Sequence, residues 1–119
     1  MKTHRTQKST DTFVAGGTHL QGHIVTTRSK IESVFGVPTY DVLSFDEKVT
    51  TEWVIVFDTE DEDSIVATVY DWKRYELGKP EMDETIVWNV GGLSYEAVTM
   101  IEKELGVNAS KSYPFGIAF

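Results

Sequence analysis

Two apolar segments joined by a short acidic run constrain this chain more than any other feature. Glu52 to Phe57 (Glu-Trp-Val-Ile-Val-Phe) and Ser64 to Tyr70 (Ser-Ile-Val-Ala-Thr-Val-Tyr) flank the run Asp58 to Asp63. β-Branched and aromatic residues dominate both, and such side chains pack best on a pleated, half-buried surface. The pattern predicts an antiparallel hairpin. By strand alternation Trp53, Ile55 and Phe57 share one face, and Glu52, Val54 and Val56 the other. In the second arm Ile65, Ala67 and Val69 oppose Val66, Thr68 and Tyr70. Both faces are largely apolar, which places the pair inside a sheet covered on both sides. The acidic run reads as a solvated turn, since it lacks the glycine and terminal glutamate of an EF-hand loop.

The flanking sequence supplies more strands and two helices. Met1 to Thr12 is polar and lacks hydrophobic periodicity, so a flexible arm is expected there, followed by one domain over residues 13–119. Thr18 to Thr26 alternates weakly, as a strand or an extended lead-in. Thr27 can cap a short helix with Ile31, Val34 and Phe35 on one face, ended by Gly36 ahead of Pro38. Tyr40 to Phe45 and Thr85 to Val90 read as strands, the second ended by Gly91-Gly92 as a turn. Ser94 can cap a second helix, striped by Ala97, Val98, Ile101 and Leu105 and stopped by Gly106. The apolar tail within Val107 to Phe119 should dock on its own domain or on another copy, so a homo-oligomer is expected. Together these elements predict an α+β fold: a mainly antiparallel sheet of four or five strands packed with two helices.

Composition removes several classes of function. With 119 residues, 40% of them hydrophobic, the chain can build one modest core. It has no cysteine, which excludes disulfides and thiolate chemistry and fits a reducing cytoplasm. No apolar run approaches the ~20 residues of a membrane span, and Met1 to Arg5 is not followed by the apolar stretch of a leader. A net charge of −8 opposes nucleic acid polymers as partners. No catalytic constellation is present, so a non-enzymatic protein without cofactor is expected. His19 and His23 are four apart, but Gly22 lies between them in an extended segment, which argues against a metal pair. Glu52 and Asp71 could meet as a carboxylate pair on neighbouring strands; a salt bridge from Asp71 to Lys73 or Arg74 is the simpler reading. The hairpin runs into Asp71-Trp72-Lys73-Arg74-Tyr75, where rings stand beside cations. Such a strand end suits a flat, negatively charged ligand.

A set of short motifs extends this reading. Gly17-Thr18-His19-Leu20-Gln21-Gly22, Phe35-Gly36-Val37-Pro38-Thr39, Thr51-Glu52-Trp53, Val66 to Lys73 and Trp88-Asn89-Val90-Gly91-Gly92 follow one another between Gly17 and Leu105. In that order they resemble a widespread family of short proteins from bacteriophages and large DNA viruses. The family pattern has Asp-Trp-His-x-Gly-Gly where this chain has Val87-Trp88-Asn89-Val90-Gly91-Gly92, which puts any role of that histidine in doubt at Asn89. The resemblance implies an anti-CBASS sponge of the host cytoplasm, which sequesters a cyclic dinucleotide such as cyclic GMP–AMP without cleaving it.

On that implication each candidate has a role and a plainer alternative. Trp72, Tyr75 and Trp88 would stack on bases, and Lys73 and Arg74 would meet phosphate. Gln21, Thr27 and Asn89 would read base edges or ribose, while Gly91 and Gly92 would bring backbone amides to an anion. Against this, Trp53 reads as core, and Trp72 and Trp88 stand open between core and platform. Lys73 and Arg74 alternate, so at most one faces a given pocket. Gly91-Gly92 is most simply a turn. The competing functions are an acidic inhibitor that occupies a basic site on a host enzyme, and a small nucleotide hydrolase.

Overall fold

The computed structural model describes residues 3–6, 17–41, 49–58, 64–72 and 80–111. Within them seven strands form one sheet: β1 (Thr3–Thr6), β2 (His19–Thr27), β3 (Tyr40–Asp41), β4 (Thr51–Asp58), β5 (Ser64–Tyr70), β6 (Thr85–Gly92) and β7 (Ala109–Lys111). The spatial order is β1-β4-β5-β6-β2-β7, with β3 also on β4, and every pairing is antiparallel. Helices α1 (Arg28–Phe35) and α2 (Glu96–Leu105) complete the described chain. The α+β class is as the sequence predicts, with more strands than four or five.

The hairpin is in register from Glu52↔Tyr70 to Asp58↔Ser64, and both arms lie inside the sheet. One face carries the core. Trp53, Ile55, Phe57, Ala67, Val69, Trp88, Val90 and Ile24 meet Ile31 and Phe35 of α1 and the buried stripe Ala97, Val98, Met100, Ile101 and Leu105 of α2. At its centre the Trp53 and Trp88 rings pack edge to face, 5.4 Å between centroids. Buried indole N–H groups need acceptors. Trp53 Nε1 donates to the Gly36 carbonyl at 2.9 Å and Trp88 Nε1 to the Thr26 carbonyl at 3.1 Å.

Local chemistry sets the helix ends. Thr27 Oγ1 accepts from the Lys30 amide at 3.1 Å, capping α1 as its position predicts. α2 starts at Glu96 with Tyr95, not the expected Ser94, at the N-cap and no side-chain cap bond. The Glu96 amide still donates to Ser94 Oγ at 3.3 Å, and the helix ends at Gly106 with a left-handed φ of 70°. Gly92 explains how closely α2 approaches the sheet. A Cβ there would lie 2.5 Å from the Ala97 Cβ, so any side chain would push the helix outward.

Three further expectations need correction. Thr3–Thr6, expected in a flexible arm, pair with Ile55 to Asp58 as β1. Gly91 and Gly92 are not a turn: they finish β6, between β5 on one side and β2 on the other. Asp71 is not exposed for a salt bridge. It is fully buried and accepts from the Thr50 and Thr51 amides at 2.8 and 3.0 Å and from the Thr50 hydroxyl, tying the end of β5 to the start of β4. The acidic turn and most of the apolar tail fall outside the described residues, as do residues 42–48; Ala109–Lys111 form β7 against Gly22 to Ile24. Among the described residues no helix is long and apolar enough to cross a membrane.

Candidate functional site

The sheet face opposite the helices carries a row of polar side chains perpendicular to the strands. Strand register aligns Tyr40 with Glu52, Glu52 with Tyr70, Tyr70 with Asn89, Asn89 with His23 and His23 with Ser110. Residues directly opposite one another in a sheet point to the same face. Neighbouring strands are about 4.8 Å apart, so the row from Glu52 to Ser110 spans on the order of 20 Å. Flanking it is an apolar level made by the cross-strand pair Val25 and Val87, 58% and 45% exposed, with Trp72 two residues beyond Tyr70.

Where row and apolar level meet, Leu20, His23, Tyr70, Trp72 and Asn89 line a cleft of about 330 Å³. Trp72 is 46% exposed and stands edge to face with Tyr70, 6.3 Å between centroids. Asn89 stands beside Tyr70 on the neighbouring strand. His23 is buried, and that burial holds its imidazole below the ordinary 6.5, so it presents a neutral ring at neutral pH. Burial raises the Tyr70 phenol, the Glu52 charge adds to this, and the neighbouring Asn89 side chain partly offsets it. The described walls of the cleft thus combine aromatic faces with uncharged donors and acceptors.

The sequence-derived candidates divide sharply. Trp72 and Asn89 line the cleft. Trp88 does not: it is fully buried on the opposite face, among Ile24, Trp53 and Val90, so it is a core residue and not a stacking platform. Gly91 and Gly92 lie within the ladder, where a Cβ on Gly91 would meet Thr68 Oγ1 at 2.5 Å; they serve close packing, not an anion. Gln21 sits where the register shifts between Leu20 and Gly22. Its amide donates to the Gly92 carbonyl at 3.1 Å and meets the His19 ring at 2.9 Å. Thr27 caps α1 four residues beyond His23, roughly 13 Å along β2, and is remote from the cleft. Lys73, Arg74 and Tyr75 lie outside the described residues.

Leu20, His23 and Tyr70 are the cleft residues that the sequence does not announce. Tyr70 shares a strand face with Trp72 by simple alternation, which was a usable signal. His23 and Leu20 reach the cleft only because β2 pairs with β6, more than sixty positions away, and because the irregularity at Gln21 resets the alternation. No family model, curated protein or solved structure matches this chain.

Glu52 closes the row on the β4 side. Burial, and then the charge of Asp71, push its carboxyl above the ordinary carboxylate value. The folded chain therefore holds this proton more tightly than the unfolded chain. Glu52 thus contributes stability that is present below the ordinary carboxylate value and is lost as pH rises through the raised one. Glu52→Gln is expected to raise the thermal midpoint at neutral pH, with the two curves converging in mild acid. Equal midpoints at neutral pH would show that the Glu52 charge costs nothing.

Proposed function

We propose that this protein is a non-enzymatic viral anti-defence protein that captures a cyclic nucleotide immune messenger, such as cyclic GMP–AMP, and holds it intact. One observation carries the reading. A half-exposed tryptophan lines a cleft whose other described walls are a tyrosine, an amide, a neutral imidazole and a leucine. An indole left half in water gains by covering itself with a flat ring, and a base offers such a ring with polar edges. The motif resemblance supports the messenger class and, with it, a phage protein acting in the host cytoplasm. Sequestration needs tight binding: about −12 kcal/mol corresponds to a Kd near 1 nM.

The test is depletion and release. Incubation with cyclic GMP–AMP should remove it from solution, and heat denaturation should return it uncleaved. Trp72→Ala should weaken capture about ten- to hundredfold, the worth of one stacking contact at ~1–3 kcal/mol. Its thermal midpoint should stay near wild type, because so exposed a ring contributes little to the core. Recovery of cleaved messenger would make the protein an enzyme. No depletion of any cyclic nucleotide would overturn the reading.

A further inference from the structure

We propose that the cleft recognises an uncharged purine edge, with Asn89 as the specificity-determining residue; this rests on the nucleotide-binding reading above. The described walls of the cleft hold no Lys, Arg, Asp or Glu: they are Leu20, His23, Tyr70, Trp72 and Asn89. Aromatic, imidazole and amide side chains along a partly buried wall suit a flat ring with polar edges. The volume, about 330 Å³, lies at the small end of ligand sites, which suits one base with its sugar.

Asn89 sits between Tyr70 and His23 in register, and all three line the cleft. An Asn amide has two N–H donors and a carbonyl acceptor. On a cleft wall the amide can turn one donor and its acceptor, side by side, toward a ligand edge. That pair complements the adenine edge, which offers an amino donor beside a ring-nitrogen acceptor, and equally the guanine O6 and N1–H. Trp72 covers the ring, and the larger purine face fills it better than a pyrimidine.

The geometry separates base from phosphate, and so does the experiment. Quenching of tryptophan fluorescence is followed with adenosine, guanosine, cytidine, inorganic phosphate and cyclic GMP–AMP, at low and high salt. Both purine nucleosides should bind, with affinities that salt does not change, while cytidine binds weaker and phosphate leaves the signal unchanged. Asn89→Asp offers only acceptors beside the Tyr70 hydroxyl. It should shift the guanosine-to-adenosine affinity ratio about tenfold toward guanosine, whose edge carries two donors. A merely structural Asn89 would leave that ratio unmoved. Should the aspartate fail to fold, Asn89→Ser must lower both nucleoside affinities. The proposal is overturned if neither nucleoside binds, or if the ratio stays constant in a folded variant. Salt-sensitive capture of cyclic GMP–AMP without nucleoside binding would overturn it alone and leave the messenger reading intact; loss of both overturns both.

Discussion

Trp88→Ala is expected to lower stability by about 3–5 kcal/mol, the usual cost of emptying a buried tryptophan site. Small domains have only about 5–15 kcal/mol in total, so the variant should be marginal or unfolded. The expectation follows from position. Trp88 is fully buried, packs on Trp53 at 5.4 Å and satisfies the Thr26 carbonyl, so truncation opens a cavity and leaves a carbonyl without its donor. At roughly 4 °C per kcal/mol, the midpoint should fall by about 12–20 °C. Circular dichroism melts of Trp88→Ala beside Trp72→Ala give the comparison, since the two rings are on opposite faces. Similar small shifts for both would mean that Trp88 is not in the core. Trp88→Phe should recover part of the loss, because it refills most of the cavity without restoring the bond to Thr26.

The same two tryptophans mark where sequence reasoning stops. Parity along β6 puts Trp88 with Ile86 and Val90, and Asn89 with Val87 and Thr85. That alternation separates an apolar set from a mixed one, and it holds in the folded chain. It could not say which set faced the helices, because both carry valine. Only the packing of α2 on β5, β6 and β2 decides it. The hairpin was readable because its information is local: β-branched residues in a row and a short connection. The ends of α1 and the stop of α2 were readable for the same reason, since Thr27, Gly36 and Gly106 act on backbone within four residues. Gly91-Gly92 misled because glycine has two uses. A pair of glycines commonly turns the chain, but here Gly92 leaves room for Ala97 and Gly91 for Thr68, contacts invisible from a linear string. The cleft joins β2, β5 and β6, so half its wall depends on pairing at long range. Asp71 was misread for the opposite reason: adjacent cations in sequence suggested a salt bridge, whereas two backbone amides twenty positions earlier hold it.

Arg28→Met should be nearly as damaging, although no apolar core is touched. Arg28 opens α1, where a cation faces the positive end of the helix and is disfavoured. It is 8% exposed nonetheless, because three elements converge on it. Its Nε donates to Glu32 at 2.7 Å, its terminal nitrogens reach Asp41 at 2.8 and 3.3 Å, and the Pro80 carbonyl lies at 3.5 Å. Burial alone would lower its pKa, but the bonds and charges of Asp41 and Glu32 outweigh that and hold it above its ordinary value. Removing the guanidinium leaves two carboxylates facing each other in partly buried positions, and also frees the link from α1 to β3 and to the segment at Pro80. Breaking a buried pair from one side costs about 3–5 kcal/mol; the partial exposure of Glu32 and Asp41 puts this case near 3. Arg28→Lys keeps the charge but not the fork that spans two carboxylates, so it should recover less than half of the loss. Adding Glu32→Gln and Asp41→Asn to Arg28→Met should restore much of the stability, since the penalty lies in the stranded charges. A triple variant no more stable than Arg28→Met would instead assign the loss to the packing of the arginine stem between α1 and β3.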